Sequence, residues 1–424
     1  MSDQALIYTS LTACLALLGL MYISSRGRSI HFFVASFFAL FSLGPVVNYI
    51  TGASIFAGIR PQYIGRATFG FAVAIAALAL SQVLSRARRR RGAVEVRPAA
   101  EAAVTKYPLV YLALGVLIVY GLIGVAALAP VFTTGSKIQS LQVSGSSHYV
   151  YLLAELAAVS AFFMLRRDRL GYQLWIANAC VYVAYCLITF ERDFLFVFFS
   201  VFLHYQLFSR KHSKPGRLVL AGLASAAVAT VLFAQRGDSE VSVAGLLNQG
   251  SVLFVDTFVM SLVPVQLAFA SGTTYVSALA SVAPSWLYDS KHVGLSEWLV
   301  GIYAPGSPSG YGFSLTGEAY LNFGYYGIFG AFLVLGLVLG GLSRRFARSD
   351  WASYASVYYA TIFMYAIRGD SEQVLKSMLY GGLFFVVVTS LRNTDVGEGA
   401  GRPPAAEAGL RRLSRLTDGH SLTH

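Results

Sequence analysis

Runs of about 20 apolar residues recur along this chain of 424 residues, and short polar stretches separate them. A helix of that length crosses the hydrocarbon core of a bilayer while satisfying its own backbone hydrogen bonds. Only 12% of the residues are charged, whereas a soluble domain carries about a quarter. The sequence therefore predicts an all-α fold, a polytopic transmembrane helical bundle. We expect about eleven spans, near residues 5–24, 30–50, 65–85, 108–128, 148–165, 170–190, 194–209, 218–235, 319–342, 351–367 and 374–391.

Lysine and arginine cluster in alternate connections between these spans. Three quarters of the 32 basic residues fall on one side of the predicted bundle, and such clusters mark the cytoplasmic side. We therefore predict a periplasmic N-terminus and a cytoplasmic C-terminus. This orientation accounts for the net charge of +12, so no nucleic-acid partner is expected.

Two connections and the tail differ from the short loops. Residues 1–393 form the predicted transmembrane domain, and its long periplasmic loop, residues 236–318, is rich in Gly, Ser, Pro, Tyr and Trp. Residues 86–106 are basic and rich in alanine, which predicts a flexible cytoplasmic linker. Residues 394–424 are predicted to be a disordered cytoplasmic tail.

An apolar stretch, residues 252–270, lies within the long loop, and Asp256 and Pro264 interrupt it. A single span here would reverse the last three helices and place the cluster around Arg344 outside, against the distribution of positive charge. We therefore exclude a single span. Two alternatives stay open: a segment that lies in the membrane interface, and a hairpin that enters and returns through residues 275–288.

No cofactor and no metal site is predicted. Cys14, Cys180 and Cys186 lie in apolar runs and are expected to be small buried side chains. The outer histidines, His148 and His292, lack the spacing of metal ligands. The sequence contains no Walker motif, zinc-protease motif or serine-hydrolase elbow, which argues against ATP-driven transport and serine hydrolysis.

Charged residues gather at the outer ends of three predicted spans. Residues 191–193 read Glu-Arg-Asp, and the pentapeptide Arg-Gly-Asp-Ser-Glu occurs twice, at 236–240 and 368–372. Guanidinium groups bind phosphate oxygens in bidentate fashion and keep their charge when partly desolvated, so these turns predict a phosphate site. The alternative is that each arginine pairs with its own aspartate and caps a helix end. The candidate residues of the three turns are Arg192, Asp193, Arg236, Asp238, Arg368 and Asp370.

The stretch 309–342 is rich in glycine and aromatic residues and runs into an apolar helix. Glu318 is expected at or just inside the outer membrane face, with Tyr320 and Asn322 beside it. An ionisable group at that depth is a functional candidate, and a carboxylate there can act as a general base. The alternatives are that Glu318 is the partner of an outer arginine, or that an ordinary Arg–Glu pair locks two helices together.

The string at 317–327, Gly-Glu-Ala-Tyr-Leu-Asn-Phe-Gly-Tyr-Tyr-Gly, enters a Gly/Leu-rich helix after the long outer loop. In this it resembles the bacterial O-antigen polymerases, the Wzy-type oligosaccharide repeat-unit polymerases. The pair Arg236-Gly237 that opens the long loop is similar to an Arg-Gly of this family. Arg192, before the apolar run 194–208, is similar to an arginine that these proteins place at that turn.

The resemblance implies a GT-C-like membrane glycosyltransferase of the bacterial inner membrane that needs no metal. It would transfer a growing glycan from undecaprenyl diphosphate to the sugar of a fresh lipid-linked repeat unit at the periplasmic face. The expected partners are undecaprenyl-diphosphate-linked oligosaccharide, membrane lipid, and the chain-length regulator and flippase of the same pathway.

Under this resemblance, the arginines of the three turns are expected to stabilise the charge of the departing diphosphate. Glu318 is the expected base for the attacking sugar hydroxyl, with Asp238 and Asp370 as second choices. The residues expected to contact sugars are Tyr320, Asn322, His292 and the loop aromatics Trp286, Trp298, Tyr303 and Tyr311. The alternative for the loop aromatics is an interfacial belt.

Two other functions stay open. An O-antigen ligase would use the same donor but act on lipid A-core, and it should have a functional histidine in the long outer loop, where only His292 is available. A flippase or other transporter of lipid-linked oligosaccharide would line a central path with polar residues in mid-span. Glu155 is an acidic residue in mid-span, and a finding that it is essential for function would favour the transporter.

Overall fold

The structure is a computed structural model that describes residues 3–53, 55–56, 58–91, 107–132, 148–165, 168–189, 194–208, 252–283, 293–305, 312–346, 349–365 and 369–391. Every regular element in these ranges is helical, and the 3-10 helix Pro61–Tyr63 precedes the third α-helix. The α-helices are α1 (Asp3–Ser25), α2 (Ile30–Ile50), α3 (Ile64–Arg91), α4 (Pro108–Phe132), α5 (His148–Leu165), α6 (Arg169–Ile188), α7 (Phe194–Phe208), α8 (Val252–Leu262), α9 (Thr273–Ala280), α10 (Leu295–Tyr303), α11 (Leu315–Arg345), α12 (Asp350–Tyr365) and α13 (Ser371–Ser390).

Within the described ranges, seven helices are long and apolar enough to cross a membrane: α1, α2, α3, α4, α6, α11 and α13. This confirms the predicted fold class, a polytopic helical membrane protein. The predicted spans at 148–165, 194–209 and 351–367 correspond to the shorter helices α5, α7 and α12, which have 18, 15 and 16 residues. The predicted span at 218–235 lies outside the described residues.

Helix α3 packs against α1, α2 and α11. It runs parallel to α11, since Gly70 lies beside Ile328 near the start of the contact and Ser81 lies beside Gly336 further along both helices. Glycine permits this close approach, because a Cβ added at Gly336 would collide with the hydroxyl of Ser81. The small residues therefore set the packing of the two helices.

Arginines that the sequence assigns to the cytoplasmic side lie at one end of this bundle. Arg86 of α3 donates to the backbone carbonyl of Ser24, near the end of α1, and Gln82 Nε2 donates to Ser24 Oγ at 2.9 Å. Arg344 and Arg345 end α11, which runs parallel to α3. The ends of α1, α3 and α11 therefore share one side, and their first turns share the other.

Residues 252–283 form a hairpin of two short helices. All residues of α8 are buried, and it packs against α2, α3 and α11. A turn at 263–272 leads into α9, which has 8 residues against 11 in α8. Both fall well short of the roughly 20 residues that a span needs. The structure therefore has two short helices and no single span in this stretch, which agrees with the hairpin, one of the two alternatives that the sequence left open.

Helix α11 is broken near its start, because Phe323 (φ −142°, ψ 22°) and Gly324 (φ 61°, ψ −145°) are not helical. A break deprives the preceding carbonyl groups of their helical partners. The hairpin turn replaces them: backbone N–H groups of residues 270–271 donate to the carbonyl oxygens of residues 321–322, with N···O distances of 2.9 and 3.2 Å. Residues 315–322 thus form a half-helix that ends on the hairpin.

Two expectations need correction. Helix α3 continues to Arg91, into the segment 86–106 that was predicted to be a flexible linker, because alanine and arginine are strong helix formers. Cys14 and Cys186 are buried as expected, but Cys180 is exposed on α6. A small apolar thiol can face lipid as easily as protein, so its position in an apolar run did not determine its burial.

Candidate active site

Glu318 lies where three helices meet, and only 1% of it is exposed. Thr274 Oγ1 of α9 donates to Glu318 Oε1 at 2.8 Å. Ser371, the first residue of α13, donates twice, from Oγ to Oε1 at 2.7 Å and from its backbone N–H to Oε2 at 2.6 Å. The carboxylate therefore sits on the N-terminus of α13, where the helix dipole and free N–H groups favour negative charge.

Asn322 lies one turn after Glu318 on the same face of the half-helix and is fully buried. Its Nδ2 donates to Thr274 Oγ1 at 2.7 Å and to the backbone oxygen of Glu318 at 2.9 Å. Its Oδ1 accepts from the N–H of Gly272 at 2.8 Å. A chain of hydrogen bonds thus runs from Asn322 through Thr274 to Glu318 and fixes the hairpin against α11.

A second buried carboxyl, Asp256 of α8, lies at the N-terminus of α11. It accepts hydrogen bonds from Ser314 Oγ and, at 2.6 Å, from Thr316 Oγ1. Ser314 in turn accepts from the N–H of Gly317 at 2.9 Å and caps the helix. In the sequence, Asp256 stood out only as an interruption of an apolar run, although a charged residue in such a run is itself a signal of a polar partner.

Asp370 begins α13 as its N-cap, and its carboxylate accepts from the backbone N–H of Gln373 at 3.1 Å. It is buried, and burial raises the pKa of this carboxyl, while the hydrogen bond from Gln373 acts in the opposite direction. Asp370 therefore caps a helix end, whereas its pairing with Arg368, which lies outside the described residues, stays a prediction. The cap also places Ser371 against Glu318.

Tyr320 does not join Glu318, although the two are close in sequence. It is 6% exposed, and its ring packs edge-on against Tyr325 at 5.2 Å and against Phe269 at 6.3 Å between ring centroids. Successive helical residues turn by about 100°, so positions two apart lie on opposite faces. The structure brings Asn322 to Glu318 and separates Tyr320 from both.

Tyr275 also belongs to this site, although it is not among the residues predicted from the sequence. Its hydroxyl is buried and makes no hydrogen bond within the described part of the chain. Burial and the nearby Glu318 carboxylate raise the pKa of Tyr275 well above its usual range. No sequence signal separated it from the many other tyrosines of the chain.

Six of the predicted site residues lie outside the described residues, so their grouping stays a prediction: Arg192, Asp193, Arg236, Asp238, His292 and Arg368. The same holds for Trp286 and Tyr311. The other two loop aromatics pack against the protein interior. Tyr303 lies 4.7 Å from Phe254 between ring centroids, and Trp298 lies 6.3 Å from Phe313.

Among the residues that the structure describes, no group of three or more His, Cys, Asp or Glu side chains is placed to hold a metal ion. The polar groups of the site are instead carboxylates, hydroxyls and amides that bind one another. Their geometry can hold one carboxylate in a fixed orientation at a helix N-terminus, which is what a positioned proton acceptor requires.

Residues 295–393 match the family model described as O-antigen polysaccharide polymerase Wzy. Comparison with curated proteins and with solved structures found no match. The matched segment runs from α10 through α13 and contains Glu318, Asn322, Asp370 and Ser371. Several membrane-spanning helices together with this family match indicate a multi-pass inner-membrane protein. Over these residues, the match confirms the resemblance to the Wzy-type O-antigen polymerases that the sequence predicted.

Proposed function

We propose that this protein joins oligosaccharide repeat units that are carried on undecaprenyl diphosphate, at the periplasmic face of the inner membrane. The growing glycan is transferred to the terminal sugar of a fresh lipid-linked unit, and its own lipid diphosphate is released. The family match supports O-antigen polymerisation in general. The observation that carries the proposal is the buried Glu318, which lies inside the matched segment and at the N-terminus of α13.

The reaction moves one glycosyl group and one proton. A sugar hydroxyl of the acceptor attacks the anomeric carbon of the growing glycan, a new C–O bond forms, and the bond to the diphosphate breaks. The hydroxyl proton passes to a base, and the diphosphate leaves with the bonding electron pair. Such a step needs one oriented proton acceptor and a cationic site for the leaving group.

Glu318 has the geometry of the proton acceptor. An ionised carboxylate offers about four lone-pair positions, and three donors of the described residues occupy three of them: Thr274 Oγ1, Ser371 Oγ and Ser371 N. Two of these bonds are on Oε1 and one is on Oε2, so a position on Oε2 is left for an incoming hydroxyl. We therefore propose Glu318 as the base, with Asp238 and Asp370 as the second choices.

The leaving diphosphate is assigned to the arginines of the three outer turns, Arg192, Arg236 and Arg368. Arg368 is two residues before the cap of α13 in the sequence. Three guanidinium groups carry enough positive charge to stabilise a diphosphate without a metal ion. We accordingly propose a metal-independent reaction, in which Asn322 and Thr274 orient Glu318 and do not contact the reacting atoms.

Glycan analysis of a deletion strain tests this function and separates it from the alternatives. We expect a single repeat unit on its lipid carrier, exposed on the periplasmic face, and on lipid A-core a single repeat in place of long chains. Repeat units that accumulate on the cytoplasmic face would show a flippase instead. Long polymer that stays on undecaprenyl diphosphate while lipid A-core receives none would show a ligase.

A further inference from the structure

Two arginines that the proposed reaction does not use lie before and within the first turn of α3. Arg60 is half-buried against α8. Its backbone N–H donates to Thr257 Oγ1 at 3.4 Å, its Nη1 donates to Ser261 Oγ, and its guanidinium carbon lies 4.7 Å from the centroid of the Phe258 ring. The protein therefore orients this guanidinium while leaving most of its N–H donors without a protein acceptor among the described residues.

Arg66, six residues later, is exposed. Its guanidinium carbon lies 5.5 Å from the centroid of the Tyr63 ring, and its backbone oxygen accepts from the hydroxyl of Tyr325 at 3.2 Å. The Asp3 carboxylate lies against Gly65, but within the described part of the chain it forms no ion pair with Arg66. Two cations thus stand at the outer end of α3 without an acidic partner in the described ranges.

An aromatic surface continues from these arginines into the bundle. Phe69, one turn deeper on α3, lies 5.0 Å from Tyr325, and Tyr320 lies 6.3 Å from Phe269 of the hairpin turn, between ring centroids. Both phenylalanines are 40% exposed. From the outer end of α3 inward, the surface is first cationic and then apolar. This is the order of a lipid that carries a phosphate head group at the membrane surface.

The half-helix 315–322 separates this surface from Glu318. Glu318 and Asn322 face α9 and α13, whereas Tyr320 faces the arginine side. A polymerase must hold two lipid diphosphates together, the one that leaves and the one that carries the acceptor. The two faces of the half-helix offer separate places for them.

We propose that Arg60 and Arg66 bind the diphosphate of the acceptor lipid, and that its apolar chain lies along Phe69 and Phe269. This inference rests on the proposed function. Because the acceptor diphosphate is not broken, its site needs binding strength and position but no base. Guanidinium groups suit it, since they hold phosphate oxygens in a bidentate geometry.

The test is a titration of purified protein in phosphatidylcholine nanodiscs with undecaprenyl diphosphate. We expect two binding events for the wild type. In the double variant Arg60→Gln/Arg66→Gln, one event should weaken by about tenfold or more, the size expected for the loss of charge-assisted hydrogen bonds, and the other should be unchanged. Arg66→Lys should retain part of the lost affinity because it keeps the charge. Titration curves of the double variant that match the wild type would overturn the proposal.

Lys376→Gln is the matched control, because it removes one positive charge from α13 at the same end of the bundle, and it should leave both events unchanged. A third arm adds phosphatidylglycerol in excess. Loss of one event there would mean that the arginines take any anionic head group, which overturns the assignment to the lipid diphosphate.

Binding needs no turnover. If the glycan analysis excludes a polymerase, the site can still be seen in the titration; if Glu318→Gln abolishes polymer while the arginine variants bind normally, this inference alone fails.

Discussion

At the scale of single residues, Glu318 is a buried carboxylate that hydroxyl and backbone donors stabilise. Within the described ranges its hydrogen bonds come from Thr274 and Ser371, and no arginine or lysine pairs with it. Hydrogen bonds to a charged group contribute about 1.5–3 kcal/mol each. An oriented carboxylate with one open position is therefore compatible with both a stable fold and proton transfer.

Glu318→Gln should abolish long-chain polysaccharide, because the amide keeps the size of the side chain but is a far weaker proton acceptor. The Nε2 group of glutamine is a donor, and it would face one of the donors that now bind the carboxylate. We therefore expect a loss of about 1–3 kcal/mol in the free energy of unfolding. Gel analysis of the polysaccharide, with protein level and thermal unfolding measured on the same samples, separates the two effects. Glu297→Gln, an exposed acidic residue of α10, should change neither. Long chains at the wild-type level in Glu318→Gln would exclude it as the base.

Thr274→Val tests the chain of hydrogen bonds that runs from Asn322 through Thr274 to Glu318. Valine has nearly the same shape, but it leaves Glu318 Oε1 without one donor and Asn322 Nδ2 without one acceptor. The expected cost is about 1–3 kcal/mol, together with a lower rate of polymerisation at unchanged substrate affinity. Thr273→Val removes an exposed hydroxyl that, among the described residues, donates only to a backbone carbonyl. If both variants have the same rate of polymerisation, this chain of hydrogen bonds does not position Glu318.

At the scale of elements, the break in α11 is what brings the hairpin to the site. Gly324 adopts a positive φ that L side chains rarely adopt, and the carbonyl groups freed at residues 321–322 are taken up by the hairpin turn. The half-helix then carries Glu318 and Asn322 toward α9. The break and the hairpin therefore form one unit, since each satisfies backbone groups of the other.

Gly324→Ala should lower the midpoint of thermal unfolding, because alanine at this φ and ψ costs about 1–3 kcal/mol. Gly330→Ala, six residues along the same helix, should leave the midpoint unchanged or raise it. No atom of the described residues lies within 4 Å of a Cβ at Gly330, and alanine is the better helix former by about 1 kcal/mol. Equal midpoints for the two variants would mean that α11 does not need the break.

The sequence predicted the helix at 319–342 and the acidic residue at its outer end. The sequence did not predict the break. A glycine that is needed for a positive φ cannot be distinguished in the sequence from a glycine that is needed for helix packing, because the difference depends on the neighbouring segments. Gly336 lies against Ser81, whereas Gly324 is required by its backbone conformation. Thr274 and Ser371 were missed for a similar reason, since a hydroxyl becomes part of a site only through its partner.

At the scale of the whole molecule, the two ends of the bundle differ in chemistry. The end with Ser24 and Arg86 also carries the last turn of α11, with Arg344 and Arg345. The other end carries the hydrogen-bonded carboxylates. Hydropathy and the distribution of basic residues predicted this division, because both depend on composition over whole spans. The contacts that join carboxylates to hydroxyls depend on single side chains from distant segments.

Cysteine labelling tests the predicted orientation. In a chain without its three native cysteines, Gly301→Cys on α10 should react in intact cells with a maleimide that crosses the outer membrane but not the inner one. Arg345→Cys should react only after the inner membrane is opened, because the basic end of the bundle is predicted to face the cytoplasm. Both residues are exposed, so access to the side chain does not differ between them. The reverse pattern would place the candidate site on the cytoplasmic side.

We propose that this chain alone polymerises lipid-linked repeat units and that Glu318 is required. The most direct measurement is the length of glycan made by purified protein in liposomes that contain undecaprenyl-diphosphate-linked repeat units. We expect a ladder of products longer than one repeat with the wild-type protein and with Glu297→Gln, and single repeats only with Glu318→Gln. Single repeats with the wild-type protein, or the same ladder with Glu318→Gln, would contradict it.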